Sequence, residues 1–209
     1  MWKNRKRADL VLHLFLAVRD ELLPRFCTLA SGGLTIRVRT GGSVQELLCE
    51  QLGLSADYLE KRIQTIFLDN AMVDDPRQAV VLPNATLALS AAMPGIAGAM
   101  LRRGSPYAAM RSQISHVGNS TDPTVQQEKR CEGTIVIKLF NLLRDELAPT
   151  LLARGVEIDR EILAALLRRN AAVLTKGIVA ARLDDALKTP EELLAIDWSG
   201  TGVFLQVVS

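Results

Sequence analysis

The chain has 209 residues, 48% hydrophobic, 23% charged and only 4% aromatic, with 25 Lys and Arg against 23 Asp and Glu. This composition excludes collagen, coiled coil and wholesale disorder, and a net charge of +2 is too small to make nucleic acid or an anionic membrane the main partner. The length allows one or two domains whose cores need neither disulfide nor metal.

Residues 1–9 read as a basic tail. Lys3, Arg5, Lys6 and Arg7 put +4 on the first seven residues, so the remainder sums to −2. The run is short and carries no interleaved aromatics, which favours a solvated tail over an RNA or lipid contact. Leu10 to Leu16 then forms an apolar, β-rich run, and Leu34 to Arg39 alternates Leu34, Ile36 and Val38 against Thr35, Arg37 and Arg39, the pattern of a second strand. Ser43 with Glu46 three residues on predicts an N-cap, opening a helix with Val44, Leu47, Leu48 and Leu52 at helical spacing before Gly53 stops it. Ile63 to Leu68 reads as a strand, Asp69-Asn70 as a turn, Ala79 to Leu82 as a short strand and Thr86 to Met93 as the last strand of the region.

From Gln78 to Leu101 no residue is charged, a length that could span a bilayer. Pro83, Asn84, Thr86, Ser90, Pro94, Gly95 and Gly98 interrupt it, so turn and strand are expected rather than a membrane helix. Residues 99–133 are poor in core residues and read as a flexible linker, with Arg102, Arg103 and Arg111 as exposed tryptic sites.

An internal repeat organises the rest. Leu10 to Pro24 and Ile135 to Pro149 share eight of fifteen positions at an offset of 125: Val11/Val136, Leu14/Leu139, Phe15/Phe140, Arg19/Arg144, Asp20/Asp145, Glu21/Glu146, Leu22/Leu147 and Pro24/Pro149. Two copies do not make a solenoid, so tandem duplication of one small domain is expected, over 10–98 and, more diverged, 134–209. Phe15 and Phe140 are expected in equivalent buried sites. Val73-Asp74-Asp75 is expected to match Leu183-Asp184-Asp185, and the second copy should carry its helix from about Arg160 to Arg169.

No chemistry-bearing motif stands out. Cys27, Cys49 and Cys131 have no CxxC pair and only His13 and His116 as possible imidazole companions, so no metal site is expected, and the thiols read as small core residues in a reducing cytoplasm. Gly41-Gly42-Ser43 lacks both P-loop and dinucleotide-binding spacing and reads as a turn and cap. Asp74-Asp75 and Asp184-Asp185 read as solvated turns, the Arg19-Asp20-Glu21 and Arg144-Asp145-Glu146 clusters as surface ion pairs, and Trp2 and Trp198 as packing groups. No catalytic residue, cofactor or nucleophile–base pair is indicated, so the chain is expected not to be an enzyme.

Four stretches carry a family resemblance: the opening strand HLFLAVRDELL, the helix start TGGSVQELLCEQLGL, the run IFLDNAMVDDPRQAVVLPNATLALSAAMPG and the tail PGIAGA. Over residues 10 to 99 these resemble the MoaD/ThiS group of ubiquitin-like β-grasp sulfur carriers, and residues 134–209 resemble it mainly through the first copy. The resemblance implies an α+β fold of two tandem β-grasp domains, each a mixed sheet with one main helix. It also implies a protein partner: an E1-like adenylyltransferase or an enzyme of molybdenum/tungsten-cofactor or thiamine synthesis. In that family a terminal glycine carboxylate is adenylated and converted to thiocarboxylate, so Gly95, Gly98 and Ala99 are the carrier-tail candidates here. Ala99 stands where the terminal glycine belongs and 110 residues follow it, while the chain ends in Gln206-Val207-Val208-Ser209. The expected function is therefore a non-catalytic protein–protein interaction module, and the alternative is a carrier precursor activated by proteolysis near Gly98.

Overall fold

The computed structural model describes residues 11–92, 95–104, 106, 130–200 and 202–209. The basic tail, Trp2, His116, Arg111 and most of the expected linker lie outside them. The fold is mixed α+β. In chain order the elements are β1 (Leu12–Val18), α1 (Leu23–Cys27), α2 (Leu29–Gly32), β2 (Leu34–Thr40), α3 (Val44–Glu46) continued by a π-helical stretch Leu47–Gln51, α4 (Ala56–Lys61), β3 (Thr65–Leu68), β4 (Ala71–Met72), β5 (Thr86–Ser90) and α5 (Gly95–Leu101). After these come β6 (Cys131–Phe140), α6 (Leu142–Arg154), β7 (Val156–Asp159), α7 (Arg160–Arg169), α8 (Ala171–Gly177), β8 (Ile178–Leu183), β9 (Ala186–Leu187), α9 (Pro190–Ala195) and β10 (Gly202–Val208). No helix among the described residues is long and apolar enough to cross a membrane.

Two compact units result. A continuous unit comprises Ala30–Leu147, and a discontinuous one joins the N-terminal segment through Leu29 to Ala148–Ser209. In the continuous unit the strand order is β4-β3-β5-β6-β2, with β5 and β6 parallel and the other neighbours antiparallel. In the discontinuous unit it is β7-β10-β1-β8-β9, with β1 and β10 parallel. The opening strand of each repeat thus lies in the unit built from the rest of the other repeat. The units cut across the segments 10–98 and 134–209, and each carries several helices rather than one. The physical reason is that β1 and β6 have nearly the same apolar alternation, so either offers a sheet the same buried row.

That row is the centre of each core. Ile135, Ile137 and Leu139 of β6 are all 0% exposed, as are Leu34 and Leu87 on either side of Ile137. Each such side chain contributes about 1.5–3 kcal/mol when buried. In β1 the buried positions are Leu14, Leu16 and Val18. Strand alternation then sends Phe15 and Phe140 to the opposite face: Phe15 is half-buried and Phe140 is 39% exposed, so the expectation of buried phenylalanines is corrected. The two remain equivalent to each other, as do the buried Leu14 and Leu139.

Local signals held where the backbone decides. Ser43 and Glu46 form a reciprocal capping box, and Gly42 makes room for it, because a Cβ there would lie 2.4 Å from the Glu46 carboxylate. The helix Arg160–Arg169 forms as expected, with Asp159 as its N-cap. The expected strand at Ala79 to Leu82 is reduced to an isolated bridge between Val80 and Ser43.

The expected equivalence of Asp74 with Asp184 is corrected too. Asp69 and Asp184 both occupy tight turns with positive φ, and each clamps the neighbouring strand with one backbone and one side-chain bond. The Asp69 carboxylate accepts from Thr86 N (2.7 Å) and its N–H donates to Thr86 O, while Asp184 does the same to His13 (2.9 and 2.7 Å). Of the thiols only Cys27 is buried. Cys49 is half-buried and Cys131 is exposed at the start of β6. His13 is exposed and lies 5.1 Å from the Phe204 ring, centroid to centroid. Trp198 is buried and donates to Leu193 O.

Candidate functional site

The carrier-tail candidates lie in the continuous unit, immediately after β5. Gly95 opens α5 with a φ of +78° and is exposed, Gly98 is buried within the helix, and Ala99 is half-buried. The helix is tied at its end: the Thr65 hydroxyl donates to Leu101 O, and Arg103 N donates to Gln64 O (2.9 Å). The Arg103 guanidinium then reaches the end of α4, donating to Leu59 O (2.7 Å) and Ile63 O (2.8 Å). Terminal helix carbonyls lack intrahelical partners, and this planar, multidentate cation satisfies one of them, Leu59 O, together with Ile63 O just past the C-cap. Residues 99–104, expected as the start of a free linker, are therefore held by the fold.

A cleft of about 850 Å³ surrounds this anchor, lined among others by Gln45, Glu60, Gln64, Asp74, Arg77 and Arg103. Burial pushes the Arg103 guanidinium below its usual pKa, and Glu60, Asp74 and Asp75 pull it back. Asp75 is held below the usual carboxylate range, chiefly by its hydrogen bonds from Arg77. Gln64 Oε1 is buried and has no hydrogen-bond partner among the described residues. Along the rim of the cleft Arg77 pairs with Asp75. Among the described residues no group of three or more His, Cys, Asp or Glu is placed to hold a metal ion.

On another side of α4, Glu146 accepts hydrogen bonds from the Tyr58 hydroxyl and from Arg62. This lock was not legible beforehand, because Glu146 lies 88 residues from Tyr58 in sequence. Burial, reinforced by the Glu146 hydrogen bond, pushes the Tyr58 phenol up. Hydrogen bonds from Arg62 and then Tyr58 hold Glu146 below its ordinary range. The Arg144 guanidinium pairs with Asp145, so the expected surface ion-pair cluster is divided between two sites.

A group whose folded pKa is depressed contributes stability that is complete above its unfolded pKa and lost as pH falls through the folded value. The advantage of the native chain over E146Q is thus constant above the ordinary glutamate pKa of about 4.3 and shrinks below it. Urea denaturation of both proteins from pH 7 to pH 3 reads this directly. A difference that grows toward low pH would contradict the assignment.

The structure brings Gly95, Gly98 and Ala99 together with the Arg103 anchor, a residue that sequence reasoning placed only as a protease site. Comparison with protein-family models, curated proteins and solved structures finds no match to this chain.

Proposed function

We propose that the chain is a non-catalytic protein–protein interaction module built on β-grasp-like sheets of the MoaD/ThiS kind and working in the cytoplasm. The strand order of the continuous unit supports the fold reading: a central parallel pair is flanked by antiparallel neighbours, with a short hairpin strand at one edge. The observation that carries the functional reading is the fate of the tail. Adenylation needs a flexible glycine carboxylate that can enter a narrow channel, whereas Gly98 is buried in a helix and the following segment is pinned through Arg103. Activation by proteolysis near Gly98 would have to undo that helix first.

The test combines binding and chemistry. The full chain, its mass verified as unprocessed, is mixed with a purified E1-like adenylyltransferase and with the large subunit of molybdopterin synthase, and complex formation is measured by calorimetry. ATP–pyrophosphate exchange is followed in parallel. A stable complex without exchange supports the interaction module. Exchange with the unprocessed chain overturns it, and exchange that appears only on truncation after Gly98 moves the carrier reading ahead.

A further inference from the structure

The two units solve the same local problem differently. An offset of 115 carries the clamp Asp69 onto Asp184 and Ala56, the first residue of α4, onto Ala171, the first residue of α8. The same offset places Ala172, Val173, Lys176 and Gly177 where α4 and its C-cap have Asp57, Tyr58, Lys61 and Arg62. The repeat offset of 125 pairs Glu21 with Glu146. In the continuous unit Tyr58, Arg62 and Glu146 close on one another, and Lys61 pairs with Asp57. In the discontinuous unit the corresponding residues Val173, Gly177 and Glu21 meet as well, but they line an open cleft of about 310 Å³.

Each partner group that closes the first site is missing from the second. Valine replaces the phenol, glycine the guanidinium and alanine the aspartate. A side chain at position 177 would have to displace Leu22, since a Cβ there would lie 2.9 Å from Leu22 Cδ2. What remains is a cleft with an apolar floor, formed by Leu22, Val173 and Gly177, and a rim of Arg19, Arg25 and Lys176 against the single carboxylate of Glu21. Among the described residues the side chains of Arg19, Arg25 and Lys176 make no ion pair or hydrogen bond.

We propose that this cleft binds an organic carboxylate with an apolar body. The excess of cations selects an anion, and arginine presents a fork that matches a carboxylate. A bare inorganic anion would leave the apolar floor uncovered. At about 30 Å³ per water in the liquid, the cleft holds roughly ten waters, room for an aliphatic chain of several carbons. The inference goes beyond the interaction-module reading and stands or falls without it.

Amide chemical shifts of the isotopically labelled full chain test it, with hexanoate as the probe, hexanamide as the neutral isostere and inorganic phosphate as the bare anion. Hexanoate is expected to shift the amides of Arg19, Leu22, Arg25, Val173 and Lys176 saturably, with a Kd on the order of 1 mM. R25Q combined with K176Q should weaken it by about tenfold or more. V173Y, which gives the cleft the residue that fills the equivalent position, should abolish it. Val173 is 45% exposed, so that variant keeps the spectrum of the folded protein. Equal shifts with hexanamide, equal affinity for phosphate, or no saturation with hexanoate would each overturn the proposal. The free acid and the amide of N-acetyl-leucyl-leucine identify the source: tighter binding of the peptide acid than of hexanoate points to a protein C-terminus, and weaker binding to a small metabolite, with the cleft upheld in both cases.

Discussion

A chain cut once between residues 107 and 129, at an inserted site for a specific protease, is expected to stay in one piece under native conditions. Each unit contains strands from both sides of the cut: β6 is held between β2 and β5, and β1 between β10 and β8. The two fragments should therefore co-elute near the 22.8 kDa of the intact protein and separate only in denaturant. Two independent tandem domains would instead part as soon as the cut was made. Gel filtration before and after cleavage decides between them, and elution as two half-size species would refute the strand exchange. The outcome also bears on function, because cleavage beyond Gly98 would then fail to release a free carrier.

The second large effect is expected at Ile137. It sits in the middle of β6 opposite Leu34 on one neighbour and Leu87 on the other, all three fully buried. Ile137→Ala removes three heavy atoms from a site that can relax little and should cost about 2–5 kcal/mol. That is a large part of the roughly 5–15 kcal/mol that holds an ordinary domain folded. Phe140→Ala, three residues on and on the exposed face, should cost less than about 1 kcal/mol. Urea midpoints of the two variants compare them, and similar losses would mean that the face assignment of β6 is wrong.

Much of the local structure was legible in the sequence, because it depends on neighbours within a few residues. The Ser43–Glu46 capping box, the turn at Asp69-Asn70 and the helix from Arg160 to Arg169 are of this kind. The eight shared positions of the repeat were equally plain, and they still place Leu14 and Leu139 in equivalent buried positions. Pairing partners were not legible, for a reason inherent in duplication: when two strands carry the same pattern, nothing in that pattern says which sheet each will complete. The repeat made Phe15 and Phe140 equivalent, as they are, but not buried, because the period of two gives the core face to their neighbours Leu14, Leu16 and Leu139. Arg103 was hidden differently. An Arg-Arg-Gly run looks the same in a linker as at a helix end, and only the position of the α4 carbonyls makes one of its arginines an anchor.

The exchange of opening strands also has a temporal side. During synthesis β1 leaves the ribosome about 190 residues before β10, its parallel partner, which at typical elongation rates is a wait on the order of ten seconds or more. Within that interval, between the end of β5 at Ser90 and the start of β6 at Cys131, β2 to β5 are all present while the slot between β5 and β2 is vacant and suits a strand of the same pattern. The nascent chain therefore meets a near-native decoy before its final partner exists. The finished fold requires β6 rather than β1 to take that slot, and β1 to wait for a partner far along the chain, a pairing that belongs to the slow, non-local end of folding kinetics.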